Sequence, residues 1–499
     1  MTSDRRDEKP ADFLLPETVK NWFTHMYTHL ISGNGAEMAR LYDREFHNLT
    51  NNYFKQTSWP EPSAVESLVD SDPTFLLLYK QLYFRHMFSR TQPGMEFKIE
   101  SWETYCAIFD GVLNQSLDIE ALPAQWLFDL VGEFVYQYQS YSQYRAKVAT
   151  KSENEIAQYE ANQGIWETAK VLGYLHKLVR FSKIVEILKQ GDAAVAAPSA
   201  TVKELGYFAL ITLSRAHVLY GDYYTSLKLL EPIDFFNKRA RGAAAAAADS
   251  KTKATDQIHE KSPACHVSVF YHMGFAQLML QDFAGAIRSF STIILQVQRS
   301  RNYYSRFADY DQLNKLTEKA VALLAVVLYL CPGHRVNEQI HALIREKYGD
   351  KQAKLQKGDT SALTELFSFS APKFILPACP LVDGKPVNRS AEASQVQQRA
   401  FAELVARQQH VPALRSYVKL YRSIDLAKLA LFRGVDADRA RAELIAHKIH
   451  HASFKSDVHF YLAGNLVLVD EEVNNQRTGE FFINHIHRFA RIVDECSVE

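Results

Sequence analysis

Apolar side chains recur at spacings of three and four along most of this chain, a period that predicts helices rather than strands. In PTFLLLYKQLYFRHMF, Phe75, Leu78, Tyr79, Leu82 and His86 share one helical face, and the same kind of pattern runs from Phe13 to about Gln190. Two segments lack it, GDAAVAAPSAT (191–201) and KRARGAAAAAADSKTKATDQIHEKS (238–262). Both read as flexible or loosely ordered insertions, because they are poor in apolar periodicity. The alanines from Ala243 to Ala248 can form a helix, but their flanks give it no partner.

An internal echo spans the second insertion. LSRAHVLYGDYYTSLKLLEPI from Leu213 aligns with MGFAQLMLQDFAGAIRSFSTI from Met273, at an offset of 60 residues, so that Asp222 meets Asp282 and Tyr223 meets Phe283. Phe270, Met273, Gly274, Ala286 and Phe290 occupy the large, small and bulky places of a tetratricopeptide-type hairpin. The earlier copy, with Leu210, Leu213, Ser214, Ser226 and Leu230, fits less well. Such hairpins bury their faces by stacking on one another.

The helical pattern breaks at PACPLVDGKPVNRSAEA (377–393), a Pro- and Gly-containing boundary loop. Beyond it come helices expected near Phe401–Gln409 and Ala413–Tyr421. A helix-turn-helix follows in SIDLAKLALFRGVDADRARAELIAHKIHH (423–451), and then two β-rich runs, Val458–Leu462 and Leu466–Asp470, around Gly464-Asn465. That dipeptide is a type II′ hairpin signal, and helices followed by a hairpin make a winged helix. At the end, Phe482, Ile486, Phe489 and Val493 form an apolar stripe at i, i+4, i+7 and i+11 with no further domain to cover it. The pattern thus divides the chain into a disordered N-terminus (1–12), an N-terminal helical region (13–190), tetratricopeptide-like repeats (203–376), a winged helix (395–473) and a C-terminal helix (476–496).

Composition narrows the function. Lys plus Arg and Asp plus Glu are each 57, so no global field attracts polyanions. From Val411 to the end the count is again 12 against 12, although winged helices often grip phosphates. Arg439, Arg441 and Lys448 on the second helix are the available RNA contacts, interleaved with Asp436, Asp438 and Glu443. The start, MTSDRRDEKPADF, lacks the apolar core of a signal peptide, which predicts a cytoplasmic or nuclear protein. The run from Ala320 to Cys331 would be about 18 Å long as a helix, well short of a bilayer core of about 30 Å, and reads as buried. Cys106, Cys265, Cys331, Cys379 and Cys496 lie far apart, without CxxC spacing, which predicts reduced thiols.

Candidate chemistry is thin. Glu443, His447 and His450 share a helical face but lack an HExxH frame, and His485 and His487 point to different sides of a helix. Gly349-Asp350-Lys351, Gly384-Lys385-Pro386 and Gly33-Asn34-Gly35 lack phosphate-loop spacing. No catalytic residue, metal or cofactor is expected. In EFVYQYQSYSQYRAK, the aromatics Phe134, Tyr136, Tyr138, Tyr141 and Tyr144 end in Arg145 and Lys147, which suits either base stacking or a packed helix.

Six strings then carry a resemblance: QLYFRHMF (81–88), LPAQWLFDLVGEFVYQYQSYSQYR (122–145), LYGDYYTSLKLLE (219–231), LIREKYGDK (343–351), LQKGD (355–359) and ELFSFSAPKF (365–374). In this order, along a stretch from about Trp22 to Val493, the chain resembles the L-subunit family of eukaryotic translation initiation factor 3. The resemblance implies a mainly α PCI-type subunit, with helical repeats feeding a winged helix and a C-terminal helix. It implies a non-catalytic scaffold in a core with other PCI and MPN subunits, subunit K as the close neighbour, and attachment to the small ribosomal subunit during translation initiation. Carried onto this chain, the strand Leu466–Asp470 (Leu466, Val467, Leu468, Val469) or its hairpin partner is the winged-helix edge, and Phe482, Ile486, Phe489 and Val493 are the bundle stripe. The alternatives are an autonomous nucleic-acid-binding regulator using Arg439, Arg441 and Lys448, or a scaffold of another PCI assembly such as the proteasome lid or signalosome.

Overall fold

The computed structural model describes residues 15–90, 93–162, 164–191, 195, 199–236, 255–305, 310–331, 334, 336–356, 361–377, 381–382, 385–408, 410–452, 459–470, 482–483, 485–486 and 489. Helices dominate them. Two compact units result, one of Met1–Asp282, Arg288–Val321 and Phe369–Gln398, the other of Phe283–Ile287, Ala322–Ser368 and Arg399–Glu499.

The first unit is built on aromatic cores. Trp59 lies against Phe46 (centroids 4.7 Å) and Phe54 (4.5 Å), with Trp22 at 5.3 Å. Trp102, Tyr105, Phe109, Phe134 and Trp166 form a second cluster, in which Phe109 meets Phe134 edge-on at 4.9 Å. Such rings bring large apolar area together with a preferred geometry. Polar groups inside are satisfied by one another: Asp129 Oδ2 accepts from Tyr42 Oη at 2.7 Å and from Arg85 Nη1 at 2.9 Å, while Oδ1 accepts from Gln125 Nε2 at 3.0 Å. Removing the acid takes a hydrogen-bonded carboxylate away from a largely buried guanidinium. Asp129→Ala is therefore expected to cost about 3 kcal/mol, measured by chemical denaturation of the full chain. A cost below about 1 kcal/mol would show that water replaces the carboxylate there.

The repeat offset of 60 is visible in the backbone. Helix Ala200–Tyr220 turns into Tyr223–Leu230, and Pro263–Met279 turns into Phe283–Arg299. Asp222 N donates to His217 O at 2.9 Å and Gly221 N to Val218 O at 3.0 Å; sixty residues on, Asp282 N donates to Gln277 O at 2.8 Å and Gln281 N to Leu278 O at 3.0 Å. The equivalent residues Gly221 and Gln281 both take left-handed φ values, +84° and +65°. The later copy keeps the small residue that close helix packing needs: a Cβ on Gly274 would stand 2.7 Å from the Phe290 ring. In the earlier copy Ser214 fills that place, its hydroxyl 2.8 Å from Ser226 Oγ.

Residues 255–261 correct the reading of 238–262 as a flexible insertion. They form a 3₁₀-helix, Thr255–Lys261, because Ile258 and His259 bury against the repeat and Tyr207 Oη meets His259 Nδ1 at 2.8 Å. Ser262 then caps the next helix by accepting from Cys265 N at 3.2 Å. Residues 237–254, including the alanine run, lie outside the described residues. The extended segment after helix Ser361–Ser370 straps two long helices of the first unit: Arg145 Nη2 donates to Leu376 O at 2.8 Å, and Ile375 N donates to Leu219 O at 2.9 Å.

The second unit contains the winged helix. Its helices are Val411–Leu420, Leu426–Arg433 and Ala437–Ala452, preceded by the helix Glu392–Gln408, which is assigned to the first unit up to Gln398 and begins nine residues before the apolar pattern suggested. That start is polar, and Arg389 Nη2 donating to Glu392 Oε1 at 2.7 Å supports it. Phe401 stacks on Phe367 at 4.1 Å. The strands, numbered along the chain, are β1 (Leu381–Val382), β2 (Lys385–Pro386), β3 (Ser423–Asp425), β4 (His459–Ala463) and β5 (Leu466–Asp470). The first two pair as a small hairpin inside the predicted boundary loop, in the first unit.

Candidate interaction surfaces

The winged helix assembles around Leu414, Val418, Ile424, Leu426, Leu429, Ala440, Leu444, Phe460 and Val467, contributed by three helices and the sheet. Gly434 ends the helix Leu426–Arg433 in a left-handed conformation (φ +65°), which makes the tight turn of the helix-turn-helix. At the hairpin, Ala463 pairs with Leu466 across a two-residue turn, and Gly464 has the positive φ (+62°) that a type II′ turn requires at its first central position.

Sheet order overturns one expectation. The order is β3-β5-β4, so Leu466, Val467, Leu468 and Val469 lie on the central strand and not at an edge. The three-residue β3 is the reason: Ser423, Ile424 and Asp425 pair with Leu468, Val467 and Leu466, and occupy the flank that β5 would otherwise expose. The hairpin partner β4 is an outer strand, as the alternative reading had it. Tyr461 on β4 and Leu466 are exposed, and Val467 is fully buried.

The three candidate RNA contacts are largely committed inside the domain. Arg441 Nη2 donates to Asn465 Oδ1 at 2.8 Å and to Gly464 O at 3.2 Å, and Lys448 Nζ donates to Phe460 O at 2.9 Å. Both pin the hairpin to the second helix. Arg439 is exposed and pairs with Glu443 at 3.5 Å, and the same carboxylate holds Arg433 at 2.9 Å. Glu443 thus serves two cations, and His447 lies edge-on to Phe460 at 6.0 Å. Among the described residues no cluster of three or more His, Cys, Asp or Glu is placed to hold a metal ion. Combining Arg441→Ala with Lys448→Ala is expected to lower stability by about 1–2 kcal/mol through loss of the hairpin bonds. Oligonucleotide retention should stay unchanged; a steep loss of it would return these cations to a phosphate-binding role.

The aromatic helix resolves toward packing. Phe134, Tyr138 and Tyr141 are buried on one face of Ala124–Arg145, Tyr144 Oη donates to Glu155 Oε1 at 3.1 Å, and Tyr136 alone of the five is exposed. A histidine–carboxylate pair at the repeat turn, His217 Nδ1 to Asp222 Oδ2 at 3.1 Å, belongs to a helix cap, since Asp222 Oδ1 accepts from Thr225 N at 3.1 Å. These bonds outweigh burial and hold the Asp222 carboxyl below its ordinary value. Cys106 and Cys265 are free thiols, and burial pushes the Cys265 thiol well up.

At the C-terminus Phe482, Ile486 and Phe489 are 58%, 64% and 63% exposed, and the neighbouring Ile483 is also bare. Val493 lies outside the described residues. Exposed apolar groups in such number are uncommon on the surface of a monomer. No helix among the described residues is long and apolar enough to cross a membrane.

Tetratricopeptide-like hairpins and a winged helix define a helical-repeat, PCI-type protein. A family model described as "RNA polymerase I-associated factor PAF67" matches residues 97–489. Three relatives named eukaryotic translation initiation factor 3 subunit L align over nearly the whole chain. The Nematostella vectensis protein is 34% identical, covering 97% of this chain and 93% of its own; the Danio rerio protein is 37% identical, covering 91% and 80%. The Homo sapiens protein is 34% identical, covering 98% and 92%. The chain belongs to the family of subunit L of eukaryotic translation initiation factor 3.

Proposed function

We propose that this chain is a non-catalytic scaffold subunit of translation initiation factor 3, supporting assembly of that complex on the small ribosomal subunit in the cytoplasm. The reading rests on the family names of its relatives, and on this chain it is supported by one observation: Phe482, Ile483, Ile486 and Phe489 are each more than half exposed. A monomer with such a row of side chains invites aggregation, whereas a bundle of terminal helices covers it. Val493 extends the same stripe by one turn. The outer strand β4 is the winged-helix edge offered to a neighbouring PCI subunit, with subunit K as the nearest partner. Tetratricopeptide-like repeats over 203–376 would feed the winged helix at 395–473. Neither a cofactor nor a metal enters this role.

The role has a direct test in density gradients of cell extract. The chain should sediment with the small ribosomal subunit and move to the position of the free factor when salt strips factors from the ribosome. Sedimentation as a lone polypeptide of about 57 kDa under both conditions would contradict it.

A further inference from the structure

The tyrosine-rich helix Ala124–Arg145 has a polar side as well as an aromatic one. Gln139, Ser142 and Arg145 stand along it at three-residue steps and are buried, where packing alone would favour apolar groups. Each donates to the main chain of the segment 370–377, which is extended from 372 on: Gln139 Nε2 to Lys373 O, Ser142 Oγ to Leu376 O at 3.4 Å, and Arg145 Nη2 to Leu376 O at 2.8 Å. Two other helices do the same. Tyr271 Oη donates to Ser370 O, and Lys319 Nζ donates to Ala371 O at 3.3 Å. All of these residues belong to the first unit.

Every acceptor of these five donors is a backbone carbonyl, so they read an extended main chain and not particular side chains. The strap returns one amide, Ile375 N, to the end of a further helix at Leu219 O, 2.9 Å away. Side-chain selection comes from an apolar pair. Phe374 and Ile375 are buried, the first with its ring 5.9 Å from that of Phe275, and Pro372 is buried just ahead of them. Among the described residues no strand pairs with 371–377. One charge works against the contact: burial, and then the like charge of Lys373, lowers the Lys319 ammonium from its ordinary value. The strap thus sits as a bound peptide does, held by donors already fixed on helices and opposed by one repulsion.

We propose that Gln139, Ser142, Arg145, Tyr271 and Lys319 form a peptide-binding groove whose resident ligand is this chain's own segment 370–377. The groove takes an extended backbone in which an aromatic and an aliphatic residue follow a proline. Filled in cis, it latches the helix Ala124–Arg145 onto the repeat helices Ala200–Tyr220 and Pro263–Met279. Emptied, it presents the same donors to a peptide of like chemistry supplied from outside. Every contact lies within this chain, so the proposal stands apart from the scaffold role.

The test offers the segment in trans to the full chain. Phe374→Asp with Ile375→Asp displaces the cis copy, and a fluorescein-labelled peptide SAPKFILP is followed by anisotropy. A tethered segment acts at about millimolar effective concentration, so the wild type should bind the peptide at least about a hundredfold more weakly than the variant. Arg145→Ala in the variant should weaken binding about tenfold, and a peptide carrying Lys373→Glu should bind several-fold more tightly. The groove would be overturned by a variant of wild-type helix content that takes no peptide at millimolar concentration, by equal binding to wild type and variant, or by binding indifferent to Arg145→Ala. Hydrogen exchange of the full chain decides the matter if the double variant does not fold. There Arg145→Ala alone should speed exchange of 371–377 about tenfold and leave the helix Ala200–Tyr220 unchanged. Acceleration of both alike, or of neither, would also overturn the proposal.

Discussion

Replacing both Phe482 and Phe489 with aspartate is expected to release the chain from its complex while leaving it folded. Both rings stand mostly in solvent, so the substitutions remove little from the fold itself. In a helical bundle each ring would bury apolar area worth about 1.5–3 kcal/mol, and a carboxylate in its place adds a desolvation cost. Together the two changes should weaken association by at least about 4 kcal/mol, roughly a thousandfold. Affinity purification of tagged chain reads this directly: partner subunits co-elute with the wild type and are lost from the double variant. Undiminished co-elution would remove the terminal stripe from the interface. Ile486→Asp, on the same stripe and equally bare, should behave alike.

A second large effect is expected in the pH dependence of the first unit, where two titrating groups oppose each other. Burial, followed by the positive charges of Arg215 and Lys319, holds His272 down at about 3, although its Nδ1 donates to Ser268 O at 2.7 Å. A base whose pKa is lowered by folding contributes stability above its unfolded value near 6.5, and loses it as pH falls toward 3. Burial pushes the Glu133 carboxyl up to about 7, against the pull of Arg85 and a hydrogen bond from Gln137 Nε2 at 3.2 Å. An acid raised in this way contributes stability fully present below its unfolded value near 4.5 and lost as pH rises to 7. Between about pH 4.5 and 6.5 the two slopes, each about 1.4 kcal/mol per pH unit, nearly cancel.

Single variants should therefore separate them. Glu133→Gln exposes the histidine, so that stability falls by about 3 kcal/mol on going from pH 6.5 to 4.5. His272→Gln leaves the carboxyl alone, and stability rises by a similar amount over the same interval. Denaturation midpoints at four pH values measure both. Parallel curves for the wild type and the two variants would show that neither group changes its proton affinity on folding.

Much of this architecture is legible in local pattern. The three-and-four spacing marks the helices, and the offset of 60 marks two hairpins whose turns carry the same hydrogen bonds at Asp222 and Asp282. Gly464-Asn465 announces the hairpin. What escapes is information held by pairing across distance. Ser-Ile-Asp at 423–425 has no strand signature, since three residues show no alternation; only pairing with Leu466–Leu468 makes it β3, and so moves β5 from edge to centre. Arg441 and Lys448 look like groove-facing cations until the carbonyls of Gly464 and Phe460, 23 and 12 residues on, accept their protons. The polar Thr255–Lys261 becomes helical because Tyr207, far back in the chain, offers a partner to His259.

The central claim is that this chain acts as a component of initiation factor 3 and not alone, and native mass spectrometry of the complex purified through a tag on this chain tests it most directly. One copy of the chain per complex, with subunits of initiation factor 3 in stoichiometric amounts and no free chain, is the predicted result. A stable free monomer that binds short RNA tightly at physiological salt, with no other subunit attached, would contradict it.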